Sequence, residues 1–335
     1  MNYLSRPDTL EKRANPSLLL PGAKCLVSLA LPYPPAILAL DPPDVDTSGR
    51  IASYAWGTDY HLIIPGLLEQ LVERLSFSSR GIQYKILVDS APILERGFAA
   101  QSGLGWIGKN SCLIHPELGS YFFLAEILTD YEFDITPQPI PDHCGICRRC
   151  IDACPTGCIL PDRTIDSSRC ISYLTIENKT EIPKDLKHFI GNWVFGCDIC
   201  QMVCPWNQHI KLSQMHPDFN PTPSRAWINL IDELNRTEQE FEKEYGTRPI
   251  TRSKSRGWLR NCIVACGNLQ SSSLLPNLVS ILHNHPDYLL RSQAAQSIAQ
   301  FPLYISQPIL DLALHQESNL FVRQTILALI PPPSR

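Results

Sequence analysis

Nine of the thirteen cysteines lie between Cys144 and Cys204, and eight of those nine follow a spacing that few folds can use. The first run, Cys144-Gly-Ile-Cys147-Arg-Arg-Cys150-Ile-Asp-Ala-Cys154-Pro155, is C-x2-C-x2-C-x3-C-P. A loop of this spacing wraps three thiolates round one iron–sulfur cube, and the fourth cysteine serves a second cube. The partner run, Cys197-Asp-Ile-Cys200-Gln-Met-Val-Cys204-Pro205, is one cysteine short, and Cys170 upstream can supply it. Crossing over assigns Cys144, Cys147, Cys150 and Cys204 to one 4Fe-4S cluster. Cys154, Cys170, Cys197 and Cys200 go to the other. Structural zinc uses paired C-x2-C units set a dozen or more residues apart, which leaves the x2-x2-x3 run unexplained. Cys158 reads as a thiol beside the ligands or in the core. Cys25, Cys112, Cys262 and Cys266 sit among apolar residues and read as core.

Two clusters form an electron wire, and the cysteine segment holds nothing for the wire to act on. The rest of the 335 residues must supply that, in two or three domains. The net charge of −4 rules out a general polyanion binder, so any nucleic-acid surface is a local patch. The longest apolar stretch, Tyr121 to Leu128, is interrupted by Glu126 and is too short to span a bilayer. The start, MNYLSRPDTLEKR, lacks the features of a signal peptide. A cytoplasmic location is expected, where thiols serve as metal ligands rather than disulfides.

Residues 1–135 read as an α/β domain. Cys25–Leu31 and Tyr84–Val88 suit buried strands. His61–Leu75 and Ile93–Gln101 read as helices. Ser111–His115 and Tyr121–Leu128 flank a Pro116–Gly119 turn and predict a hairpin. Prolines 137, 139 and 141 precede a ferredoxin-type domain over 136–215, and a second proline-rich loop, Pro217–Pro223, follows it. Residues 216–335 read as all-α. Pro276-Asn-Leu278 recurs as Pro308-Ile-Leu310, and Arg260, Arg291 and Arg323 recur at nearly the same period. Paired helices at this period predict a short HEAT-like solenoid.

Three stretches could carry chemistry. Asp89 ends a predicted strand, the edge where α/β sheets collect ligands. It could donate a proton if burial raises its pKa, or it could cap the next helix, with Pro92 in the first turn. Gly103-Leu-Gly105-Trp106-Ile-Gly108-Lys109-Asn110 imitates a phosphate loop, but Asn110 replaces the magnesium-binding Ser or Thr and a helix precedes it. Its glycines predict close approach of a flat or large group. Tyr54, Trp56 and Tyr60 could wall a pocket or edge the core, and His61 reads as a cap or surface group. Finally, Arg248, Arg252, Lys254, Arg256 and Arg260 form a basic run with no acid among them, and Trp258 lies within it. Such a run is often a solvated helix start. It also suits phosphate contacts with an aromatic for a splayed base of single-stranded RNA.

VDSAPILER, SGLGWIGKN, CGICRRCIDACP, ISYLTIE and FGCDICQMVCPWN together resemble the epoxyqueuosine reductase family. The resemblance covers nearly the whole chain in order. It implies an α/β cobalamin-binding domain, a two-cluster 4Fe-4S domain and a HEAT-like domain. The implied reaction reduces epoxyqueuosine to queuosine at the wobble position of a tRNA anticodon, the last step of queuosine synthesis. Asp89 matches the family's proton donor. Gly103, Leu104, Gly105, Trp106, Lys109, Asn110 and Ser111 match a stretch lining cobalamin. Tyr54, Asp89, Arg96, Ser172 and Tyr173 are further implied contacts. No D-x-H-x-x-G signature occurs, which agrees with base-off cobalamin and no protein histidine ligand. The resemblance also tips the basic run toward tRNA. A monomer served by a flavodoxin or ferredoxin is expected. Family members carry a few tens of residues ahead of the part matching Met1-Asn-Tyr-Leu, so a shortened N-terminal segment is expected here. The competing reading is a reductive dehalogenase-like enzyme acting on a small molecule. A plain ferredoxin leaves the α/β region and solenoid unexplained, and a tRNA-binding module leaves the cysteines unexplained.

Overall fold

A computed structural model describes residues 6–39, 41–77, 80–208, 210, 216, 219 and 223–330. The N-terminal region runs α1 (Pro7–Ala14), β1 (Cys25–Pro32), β2 (Ser48–Ile51), α2 (Tyr60–Arg74), β3 (Tyr84–Leu87), α3 (Glu95–Gln101), β4 (Trp106–Ile107), β5 (Leu113–Ile114) and β6 (Phe122–Thr129). The cysteine region adds α4 (Arg149–Ala153), α5 (Ile171–Ile176), β7 (Trp193–Phe195) and α6 (Ile199–Met202). The tail holds β8 (Trp227–Asn229), α7 (Leu230–Asn235), α8 (Glu238–Tyr245), α9 (Lys254–Leu269), α10 (Leu275–Asn284), α11 (Tyr288–Ile298), α12 (Leu303–Gln316) and α13 (Leu320–Leu329).

The main sheet has the order β1-β6-β3, with β6 antiparallel to both neighbours. Strand alternation sorts its side chains onto two faces. Val27, Leu29, Ala125, Ile127 and Ile86 pack with Ile64, Leu68 and Val72 of α2. Leu26, Leu128 and Leu87 pack on the opposite side with Ile93 and Phe98 of the α3 segment. The sheet is thus a middle layer between two helices. Because it is antiparallel, the parallel-sheet rule that placed ligands at the end of β3 has no footing here. The predicted hairpin is also corrected. β5 pairs with β4, and only the bridge His115–Gly119 closes the turn before β6 departs to the sheet centre.

A second sheet, β7-β2-β8, takes one strand from each of the three sequence regions. β2 is central, parallel to β7 and antiparallel to β8. It opens the largest core, in which Ile51, Val194, Phe195, Trp227 and Leu230 meet Trp258, Cys262 and Ile263 of α9.

In the tail the recurring sequence has a physical use. Asp287 caps α11 and Asn319 caps α13. Arg291 of α11 donates to the carbonyls of His285 and Pro286 after α10. Arg323 of α13 donates to Leu314 and Glu317 at the end of α12. Each arginine supplies donors that the end of the preceding helix lacks. The Pro217–Pro223 loop and the segment at Met1-Asn-Tyr-Leu lie largely outside the described residues. No helix among the described residues is long and apolar enough to cross a membrane.

Candidate active site

Asp89 occupies the turn after β3, with φ of 42°. The Ser90 N–H folds back onto the Val88 carbonyl, which makes a tight turn of a sort that stores strain. Neighbours determine the state of the Asp89 carboxylate. Tyr60 Oη donates to Asp89 Oδ2 at 2.9 Å, and His61 Nε2 stands 3.5 Å from the same oxygen. His61 Nδ1 lies 2.8 Å from Asp59 Oδ1. Held between Asp59 and Asp89, His61 has its pKa pushed up to about 9. The hydrogen bond from His61 in turn outweighs burial and lowers the pKa of Asp89. Burial therefore does not raise the Asp89 pKa, the condition under which the sequence made it a donor. His61 is more than a surface group: its ring contacts Asp89 and stacks on Tyr60, with centroids 4.2 Å apart.

Asp89 opens into a cleft of about 260 Å³, walled by Tyr33, Tyr54, Tyr60, Phe122, Phe123 and Leu124. Glu95, Arg96, Cys112 and Gln201 supply its polar groups. Arg96 donates to the Ser111 carbonyl, and Ser111 Oγ to the Arg163 carbonyl. Cys112, read from sequence as core, instead faces the cleft and pairs with the thiol of Cys200. Cys262 and Cys266 are core, as expected.

Two glycines of the glycine-rich stretch are approached by the chain's own backbone. A Cβ on Gly103 would lie 2.6 Å from the Gln138 carbonyl, and one on Gly105 would strike the Ile114 carbonyl. The groups approaching these two glycines are the chain's own backbone. Leu104 packs beside Ala99, Leu113 and Phe122. Trp106 is 3% exposed, edge-on to Trp206 and packed with Cys204 and Cys144. Asn110 is buried, with its Nδ2 unpartnered. Lys109 Nζ donates to the Gly145 and Cys147 carbonyls at 2.6 and 2.9 Å. Arg163 joins the Ile107 carbonyl to Asp142. The stretch therefore clamps the first cysteine loop against the cleft region. Ser172 and Tyr173 lie in the first turn of α5, directly after Cys170, and Tyr173 packs against the core around Ile171 and Leu174.

The thiols that act on one another are neighbours in the cysteine segment, and Cys112 acts on both Cys204 and Cys200. Cys204 feels Cys144 and Cys150, and Cys150 feels Cys144 and Cys147. Cys197 feels Cys170 and Cys154, and Cys200 feels Cys197 and Cys170. Cys158 is buried with its Sγ 3.4 Å from that of Cys154. A dense all-thiol donor set of this kind fits iron–sulfur clusters.

The basic run divides. Trp258 is 2% exposed and donates from Nε1 to Glu233 Oε2 at 2.8 Å, so its face is not offered to a base. Arg260 is 7% exposed and donates to the carbonyls of Leu174, Asn178 and Thr180. Arg248 is buried over the Tyr245 ring and donates to the Ala55 carbonyl. The sequence expectation of RNA contacts is corrected for these three, which are internal braces. Arg252, Lys254 and Arg256 are exposed. Arg252 pairs with Glu177 and Arg256 with Asp287.

An acid–histidine pair in an aromatic cleft whose wall touches the cysteine cluster defines an iron–sulfur oxidoreductase. Residues 143–207, which include all eight ligand candidates, match the family described as 4Fe-4S double cluster binding domain. Residues 13–90, ending just past Asp89, match the family described as epoxyqueuosine reductase QueG, DUF1730. The epoxyqueuosine reductase of Cellulophaga algicola is 42% identical over 262 residues, 78% of this chain and 82% of that one. Among solved structures, epoxyqueuosine reductase with an epoxyqueuosine-modified tRNA-Tyr stem loop matches with TM-score 0.88 and 34% identity, over 97% of this chain and 86% of that one. The Bacillus subtilis enzyme, captured with an aspartate catalytic loop swung out of the active site, matches with TM-score 0.87 and 33% identity, over 97% of this chain and 86% of that one. The chain belongs to the epoxyqueuosine reductase family.

Proposed function

We propose that the chain reduces epoxyqueuosine to queuosine at the wobble position of tRNA, with cobalamin in the Asp89 cleft and two 4Fe-4S clusters feeding it electrons. One observation carries the reading. Asp89 and Cys112 line a single cleft, and Cys112 touches Cys200, so a proton-handling group and the end of the cysteine set meet in one place. The cleft's aromatic walls and sparse polar groups suit a large flat cofactor, and Tyr54 and Arg96 are the side chains placed to hold it. Cobalamin would supply a strongly reducing metal; the protein supplies orientation and protons.

Removing the epoxide oxygen as water breaks two C–O bonds, forms one C=C bond and consumes two electrons and two protons. Asp89, a carboxylate at rest, is the residue that relays a proton from the charged His61 to the oxygen. His61 stays charged up to about pH 9 and is the neighbour that reprotonates Asp89. Tyr60 fixes the carboxylate that accepts it. The exposed cations Arg252, Lys254 and Arg256 contact tRNA phosphates, and the paired helices α10 to α13 act as a HEAT-like support. A flavodoxin or ferredoxin supplies electrons, and the protein works as a cytoplasmic monomer. Purified protein reconstituted with iron, sulfide and cobalamin should convert epoxyqueuosine-containing tRNA under reducing conditions. A reconstituted sample that leaves this tRNA untouched but dehalogenates a small organic halide would overturn the reading in favour of the dehalogenase-like alternative.

A further inference from the structure

Glu126 interrupts an otherwise apolar strand at the centre of the main sheet. It is 0% exposed, and neither carboxyl oxygen has a hydrogen-bond donor. Its cross-strand partners are Ser28 on β1 and Leu87 on β3, and the Ser28 hydroxyl is also buried without a partner. Around them on this face lie Leu26, Leu128, Leu124 and Ala30. A carboxylate here, with no donor and no cation, would be very costly. The group within hydrogen-bonding reach is another carboxyl, Glu95, in the first turn of α3. Glu95 lines the Asp89 cleft, and its Oε1 accepts the Asp89 N–H at 2.6 Å. Two carboxyls in contact cannot both ionise away from water, so one proton must lie between them.

We propose that Glu95 and Glu126 share one proton and that this pair is the second proton source for the deoxygenation, with Glu126 as the buried store and Glu95 as the outlet into the cleft. The inference rests on the proposed reduction, which needs two protons where Asp89 gives one. In the step, Glu126 hands the one shared proton to Glu95, and Glu95 gives it to the ionised Asp89 or to the departing hydroxide as a solvent proton entering through the cleft restores the pair. The charges acting on Glu95 are Asp89 and Arg96, and Glu126 feels Glu95. Burial first and the neighbouring acid second push Glu95 up to about 7 and Glu126 up to about 9, so the pair is loaded at neutral pH.

Infrared spectra of the purified protein at neutral pH, with or without cofactors, should show a protonated carboxyl C=O stretch that Glu126→Gln removes. Absence of that band, or its persistence in the variant, overturns the pair. In single-turnover assays of holoenzyme, Glu95→Gln should slow conversion by roughly 10²-fold with tRNA KM unchanged. Glu95→Ala should recover rate when a small carboxylic acid is added. An unaltered rate in Glu95→Gln, or loss with no rescue in Glu95→Ala, overturns the role in proton supply. Should Glu126→Gln fail to fold, the Glu95 variants still decide the matter. An Asp89→Asn holoenzyme with full activity would sink the Asp89 reading alone, since the infrared band does not depend on it.

Discussion

Two sets of buried polar groups, one around Arg260 and Glu233 in the tail and one around Glu126 in the sheet layer, are treated in opposite ways. In the tail, Arg260 places its donors on three carbonyls, and Asn261 Nδ2 reaches the carbonyls of Thr175 and Val194. Glu233 accepts from Trp258, Tyr245 and both arms of Arg236. In the sheet layer, the Glu126 carboxyl and the Ser28 hydroxyl are buried, and the partner Glu126 reaches is another acid, Glu95. A buried polar group whose partners are complete holds elements together, while one left incomplete costs stability. Glu126 and Ser28 stand on the sheet face that Glu95 joins to Asp89, while Trp227 Nε1, Arg248 Nε and Asn268 Oδ1 are incomplete atoms of the tail. The tail's groups join regions: Arg260 and Asn261 tie α9 to α5 and β7.

The largest effect should come from the cleft side. Asp89→Asn should cut conversion of epoxyqueuosine-containing tRNA by about 10² to 10⁴-fold in a single-turnover assay. Its melting temperature should hardly change, because the side chain is 60% exposed. A large loss of stability instead would place Asp89 among the braces and erase the contrast. On the tail side the outcome should invert. Arg260→Met should lower unfolding free energy by roughly 2 kcal/mol, since the Leu174 carbonyl it leaves is buried and those of Asn178 and Thr180 are partly so. The protein that remains folded should turn over normally. Denaturant unfolding and specific activity measured on the same sample separate the two.

A smaller effect is expected on the exposed face of the basic run. Charge reversal at Arg252 and Arg256 should weaken tRNA binding and reduce the salt slope by about one for each phosphate no longer neutralised. Arg260→Met should leave that slope alone. Equal salt slopes in all three would mean that the run touches no phosphate.

The smallest effect concerns His61. Its folded pKa of about 9 lies above the ordinary value of 6.5. The stabilisation from its charged form is therefore complete below pH 6.5 and is lost as pH rises through about 9. The melting temperature should fall gently across that window, and His61→Gln should flatten the fall. With the main cause of its lowered pKa gone, Asp89 should titrate closer to an ordinary carboxylate. This is measurable by carboxyl resonances in a labelled sample.

The parts legible in the sequence are those set by local rules. The cysteine spacing is a property of one loop and its partner, and it can be read without knowing the rest of the fold. The β1, α2, β3 and α3 segments followed from apolar periodicity. What depended on approach in space was not legible. His61 gains its meaning because the start of α2 meets the end of β3. Trp258 looked like an aromatic in a basic surface, yet it lies on the buried face of α9, which its neighbours Cys262, Ile263 and Cys266 announce only at helical spacing. The glycines at 103 and 105 promised close approach but could not say that the approaching atoms were the chain's own. Glu126 was visible as an interruption in an apolar run. Only the β1–β6–β3 register shows that it stands beside Ser28, within reach of Glu95.

The second sheet has a consequence for how the chain comes to be folded. Its central strand, β2, pairs with residues 193–195 on one side and with residues 227–229 on the other. Loop closure over such distances is entropically expensive, and topologies built on it fold slowly. During synthesis the segment around Ser48 leaves the ribosome long before its partners exist, so its edges stay open to other chains through most of translation. Co-expressed fragments split between the cysteine region and the tail should therefore aggregate. The same wait leaves β7, which directly precedes Cys197 and Cys200, without its sheet partner β2 docked on β8 until the tail arrives.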